Sequence, residues 1–104
     1  MAGRLRRFDV SISDRALSDV EDIRAYIALD SPSNADRVAA GLFQAMRGLS
    51  SLPRCNPEAI EMSSTGGELR QVTVFSYRVV YEVLGAKVHV HTVRHAARRP
   101  ASDL

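Results

Sequence analysis

The sequence predicts an α+β fold, a helix hairpin packed on a small antiparallel sheet in the order β-α-α-β-β-β. Three observations carry that prediction. Residues 8–12 alternate apolar and polar side chains, residues 14–52 repeat apolar side chains at three- and four-residue steps, and residues 69–93 hold three valine- and tyrosine-rich runs. A two-residue period marks half-buried strands and a 3.6-residue period marks amphipathic helices, so the chain reads as one strand, two helices and three strands. At 104 residues it has length for one hydrophobic core, and residues 1–104 are taken as a single domain.

The first strand, residues 8–12, carries Phe8, Val10 and Ile12 on one side. Ser13 or Asp14 follows as N-cap of a helix whose apolar face is Ala16, Leu17, Val20, Ile23 and Ile27. Asp30-Ser31-Pro32 ends that helix, because the residue before proline is pushed out of the helical region. Ser33 with Asp36 three residues later resembles a capping box and opens a second helix with the stripe Val38, Leu42, Ala45, Met46 and Leu49. Leu52-Pro53 closes it, and so short a connection between the helices makes them an antiparallel hairpin. Residues 54–67, with Pro57, two glycines and a Ser-Ser-Thr cluster, read as a loop. Residues 69–74, 77–84 and 87–93 form a three-stranded antiparallel meander around the turns Phe75-Ser76 and Gly85-Ala86. The N-terminal strand is added at one edge.

With 45% hydrophobic and 25% charged residues the chain has the composition of a globular protein. No uncharged apolar run approaches the ~20 residues that span a bilayer, and the basic opening MAGRLRRF has no apolar stretch behind it, so a cytoplasmic protein is expected. The single cysteine, Cys55, offers no internal disulfide and no CxxC motif. Charge is unevenly placed. Residues 14–36 hold six acids against two bases, a net of −4, whereas residues 70–99 hold six bases against Glu82 alone, a net of +5. The C-terminal third therefore presents a field suited to phosphates or an acidic protein. Thirteen of the 14 basic residues are arginine, which forks onto carboxylates and phosphates where lysine offers a point charge.

Several side chains stand out. Arg70 and Arg78 lie in strand segments, so each needs a carboxylate or solvent, and Glu82, four residues along the strand from Arg78, is ~13 Å away and out of reach. Arg94, Arg98 and Arg99 surround His95, and like charges so close call for an anion or an acidic partner. His89, His91 and His95 share parity and are expected on one strand face. Only the first two are near enough to share an ion and no third ligand is evident, so no metal or other cofactor is implied. Tyr77 and Tyr81 sit with Val79 on one strand face as core residues with hydroxyls at the rim, and Tyr26 reaches the edge of the first helix's apolar face. The run YRVVYEVL is almost continuously apolar, more than a sheet with one solvated face requires, so part of it is expected to be covered by a partner.

The element order, the hairpin segment AxxDVEDIRAYIALDSPSNA, the strand YRVVYEV (77–83) and the closing VHVHTVRHAARRP (88–100) together resemble the RelE/ParE superfamily of bacterial toxin-antitoxin toxins. The ending Val93-Arg94-His95-Ala96-Ala97-Arg98 is closest to the ParE branch. That resemblance implies a growth-inhibiting, plasmid-stabilising toxin that acts on DNA gyrase and is neutralised by a cognate ParD/RelB-like antitoxin. Target contacts are then expected from Arg70, Arg78, Arg94, His95, Arg98 and Arg99, and antitoxin contacts from Tyr26, Tyr77, Val80, Tyr81, Arg94 and Arg98. The alternative within the superfamily is a RelE-like nuclease that cuts messenger RNA on the ribosome, with His95 as acid, Glu58, Glu61 or Glu68 as base, and Arg70 and Arg78 as phosphate clamps. Thr73 stands where such an enzyme places a strand arginine, no tyrosine follows His95, and Lys87 is the only lysine, which favours the gyrase reading. A relative that only binds antitoxin is the third reading.

Overall fold

The computed structural model describes residues 7–61 and 67–97. Strand β1 (Asp9–Ile12) leads into helices α1 (Asp14–Ala28) and α2 (Pro32–Gly48), a short 3-10 turn (Pro53–Cys55), and strands β2 (Glu68–Val74), β3 (Tyr77–Leu84) and β4 (Lys87–His95). Ser13 caps α1, its hydroxyl accepting from the Ala16 amide. The cap of α2 is Ser31, not Ser33, and Pro32 opens the helix instead of merely ending the one before. Proline suits the first helical position, where its missing N–H has no partner to lose and its fixed φ is already helical.

The four strands lie in the order β1-β4-β3-β2. The predicted antiparallel sheet is mixed, because β1 runs parallel to β4 with Asp9 opposite Lys87 and Ile12 opposite Val90. The cause is the helix hairpin, which returns the chain to the end of the sheet where it began: the Phe8 amide donates to the Ser50 carbonyl at 2.9 Å. From there β2 and, after two reversals, β4 run in the sense of β1.

One face of the sheet packs on the helices. Val79, Tyr81 and Val83 of β3 and Val88, Val90 and Val93 of β4 meet Ala16 and Val20 of α1 and Val38, Leu42 and Met46 of α2 in one buried cluster. Burying each of the larger of these side chains contributes about 1.5–3 kcal/mol, which makes this cluster the main source of stability. The opposite face is covered too, by the chain's own residues. The Ala59 amide donates to the Leu69 carbonyl and the Gln71 amide to the Pro57 carbonyl, laying residues 57–59 along the outer edge of β2. Ala59 packs on Leu69 and Val80, so the apolar surplus of β3 is satisfied internally and the expected partner is not needed there.

A register shift at Val80/Tyr81 sets Val80 opposite Thr92 and Tyr81 opposite Val90, leaving His91 as the extra residue of a β-bulge. The bulge breaks the parity of the three histidines. The rings of His89 and His91 meet edge-to-face at 4.8 Å, whereas His95 packs on Tyr77 at 5.4 Å. Among the described residues no group of three or more His, Cys, Asp or Glu side chains is placed to hold a metal, and no helix is long and apolar enough to cross a membrane.

Candidate functional site

Two of the predicted target-binding arginines are built into the scaffold. Arg78 is buried, and its guanidinium donates to both carboxylate oxygens of Glu61, at 3.0 and 2.7 Å, and to the Gln71 side-chain oxygen at 2.9 Å. The buried guanidinium satisfies its need for a carboxylate from the loop, not from its own strand. Burial alone would raise the Glu61 pKa, but hydrogen bonds and charge from Arg78 outweigh it and hold the carboxyl below its ordinary range. This pair pins the 57–61 segment over the sheet. It also removes Arg78 as an accessible target contact or phosphate clamp, and Glu61 as an accessible base.

Arg70 is braced in a different way. It pairs with Glu68 and donates to the Asn56 carbonyl at 2.6 Å, while Arg54, stacked 5.7 Å over the Phe8 ring, donates to the same Glu68 at 3.1 Å. Hydrogen bonds from Arg54 and Arg70 lower the Glu68 pKa. Beside them the Tyr81 hydroxyl donates to the Pro53 carbonyl and accepts from the Asn56 amide, and burial raises its pKa. Tyr81 and Val80 are fully buried, so neither is available to an antitoxin as expected from the sequence. Glu58 forms a backbone bridge with Arg70 at the edge of β2.

Past the bulge a second polar line runs across the sheet. Ser11 Oγ lies 2.8 Å from His89 Nδ1, and His91 Nε2 lies 2.8 Å from Oε1 of the buried Glu82. A Cβ on Gly67 would come within 1.7 Å of the Glu82 carboxylate, so glycine is what lets the backbone at residue 67 pass this close to that carboxyl group.

The remaining predicted residues converge at the other end of β4. An open cleft of about 680 Å³ lies between α1 and the β3–β4 ends, lined by Asp19, Asp22, Ile23 and Tyr26 on one wall and by Tyr77, Val93, Arg94, His95 and Ala97 on the other. Four residues singled out from the sequence, Tyr26, Tyr77, Arg94 and His95, thus share one concavity of the size typical of ligand sites. Arg98 and Arg99 lie outside the described residues. Asp19 fixes the two walls to each other, accepting from the Thr92 hydroxyl and, at 3.0 Å, from the Val93 amide. Sequence alone gives Asp19 no partner, because the one it has lies 73 residues away on β4. The spacing Asp19, Asp22, Ile23, Tyr26 was the available signal, since steps of three and four residues bring all four to one stripe.

Residues 10–100 match the family described as the ParE toxin of type II toxin-antitoxin systems, parDE. Solved structures share the fold, two of them toxin-antitoxin systems. One is a chromosomal ParDE toxin-antitoxin system from P. aeruginosa, 15% identical, covering 86% of this chain and 97% of that one with a TM-score of 0.68. The other is the RelBE2 toxin-antitoxin complex from Mycobacterium tuberculosis, 16% identical, covering 86% and 98% with a TM-score of 0.62. No curated protein matches the chain.

Proposed function

The chain belongs to the ParE toxin family of type II toxin-antitoxin systems, and from that premise we propose that it arrests growth in the cytoplasm by inhibiting DNA gyrase until a cognate ParD/RelB-like antitoxin neutralises it. The observation that carries the choice of target is the separation of the would-be nuclease residues. General acid-base cleavage of RNA needs an acid, a base and cations converging on one phosphate. Arg78 is buried against Glu61 and Arg70 is held by Glu68, whereas His95 lies in the cleft at the end of β4. The three do not line one site. What remains is the cleft, with exposed His95 and half-buried Arg94 on one wall and exposed Tyr26 on the other.

A poison of this kind works by affinity. Arg94 and His95 contact the target, and an antitoxin laid into the cleft across Tyr26, Tyr77 and Arg94 covers the same groups, so neutralisation is competition for one surface. The test is purified protein assayed in parallel for inhibition of gyrase supercoiling with accumulation of cleaved DNA, and for transcript cleavage on translating ribosomes. Gyrase inhibition with intact transcripts is expected. Transcripts cut within codons, with gyrase unaffected, would replace this reading by the nuclease.

A further inference from the structure

We infer that the α1 wall of the cleft is a receptor for a cationic side chain, arginine or lysine, presented beside an apolar residue by the antitoxin. The inference rests on the reading of the chain as a toxin with a protein antitoxin, and it specifies the chemistry that the antitoxin brings. Four observations converge on it. First, the two acids of the cleft differ in state: Asp19 is consumed by Thr92 and Val93, while the carboxylate of Asp22 has no hydrogen bond or ion pair among the described residues. Arg24, the nearby cation on α1, is engaged by Asp36 at 3.1 Å and by Glu21, and so does not neutralise Asp22.

Second, rings stand beside that acid. Tyr26, one turn after Asp22, is 75% exposed, and Tyr77 with the His95 ring faces it across the cleft. The face of a tyrosine ring attracts a cation, and a carboxylate next to it adds a charge-assisted hydrogen bond. Third, the last turn of α1 contains no basic residue, so the negative end of the helix dipole adds to the potential near Tyr26. Fourth, Leu29, the C-cap residue of α1 three residues beyond Tyr26, is exposed and offers an apolar side chain at the same helix end. Arg94 on the opposite wall sets the polarity of the site, because a cation is drawn to α1 and away from β4.

The test uses the whole chain and three capped pentapeptides with leucine on either side of a central arginine, citrulline or glutamate. Binding is followed by NMR titration, reading the ring resonances of Tyr26, Tyr77 and His95. Citrulline keeps the shape and removes the charge. The arginine peptide is expected to bind about tenfold more tightly than the citrulline peptide, as one charge-assisted hydrogen bond warrants. Asp22→Asn is expected to erase that preference, and Tyr26→Ala to weaken the arginine peptide selectively. Equal or absent binding of the arginine and citrulline peptides, a preference unchanged in Asp22→Asn, or a preference for glutamate would overturn the inference. The readout is independent of toxicity: a chain that arrests growth without a charge preference defeats only this inference, and one that prefers arginine but arrests nothing defeats the toxin reading.

Discussion

The arginines of β2 and β3 and the Arg94–His95 end of β4 are used differently, although Arg94 stands directly opposite Arg78 and its charge also helps to lower the Glu61 pKa. Around β2 and β3, Arg70 and Arg78 are each matched by a glutamate and serve to fasten loop segments onto the sheet. At the end of β4, Arg94 and His95 line an open cleft together with an acid and a tyrosine, Asp22 and Tyr26, whose side chains make no hydrogen bond among the described residues. The difference teaches that a strand arginine is informative about function only when its carboxylate is accounted for. An arginine that finds a buried glutamate is architecture, and removing it reads as instability before it reads as lost recognition.

The comparison is broken most forcefully at Arg78. Removing one member of a buried ion pair leaves the other charge uncompensated, so Arg78→Ala or Glu61→Ala is expected to cost about 3–5 kcal/mol in urea unfolding. Replacing both together, Arg78→Met with Glu61→Leu, is expected to restore most of that stability and to leave growth arrest intact, since neither charge meets the target. A folded double variant without toxicity would return Arg78 to the functional surface.

Acid sharpens the same contrast. Glu61 and Glu68 have depressed pKa values in the folded chain. Their contribution is therefore fully present above the ordinary carboxylate range near pH 4.5 and is lost as pH falls through the lower folded values. Stability measured by denaturation is expected to drop below about pH 4.5. That acid-dependent loss is expected to shrink in the Arg78→Met, Glu61→Leu variant. At the alkaline end the raised pKa of Tyr81 works in the other direction. Its contribution is present below the ordinary phenol value near 10 and is lost above it, so Tyr81→Phe is expected to flatten the stability curve there.

The smallest effect is expected at a place that serves neither region. Phe75 occupies the first position of the β2–β3 turn at φ 56°, where the β3–β4 turn uses Gly85 at φ 58°. A left-handed φ costs a residue with a side chain about 1–2 kcal/mol, and the ring recovers part of it by lying on Gly41 of α2, where any Cβ would stand 2.7 Å from the ring. Phe75→Gly exchanges strain relief for lost packing and a more flexible unfolded chain, and its net change is expected within about 1 kcal/mol in the same urea assay.

Much of this architecture was legible in the sequence because it is written locally. The period of residues 14–52 gives both helices, and the turns at 75–76 and 85–86 give the meander. What was not legible depends on contacts distant in the chain. The direction of β1 follows from where the hairpin deposits Ser50, and the bulge at His91 follows from how β4 accommodates β3. Glu61 sits in a loop read as structureless, so no spacing rule joins it to Arg78, 17 residues away. The cleft is half visible in the sequence: Tyr26, Tyr77, Arg94 and His95 stand out, but nothing in a single helix says which sheet edge the stripe of Asp19 and Asp22 will meet.

The central claim is that recognition resides at the end of β4 and not in the buried arginines. Its most direct test is growth inhibition, with folding checked by circular dichroism, compared between an Arg94→Ala, His95→Gln variant and the Arg78→Met, Glu61→Leu variant. The account predicts that the first is folded and has lost inhibition while the second is folded and still inhibits. A folded Arg94→Ala, His95→Gln protein that arrests growth as wild type does, beside a folded but harmless Arg78→Met, Glu61→Leu protein, would contradict it.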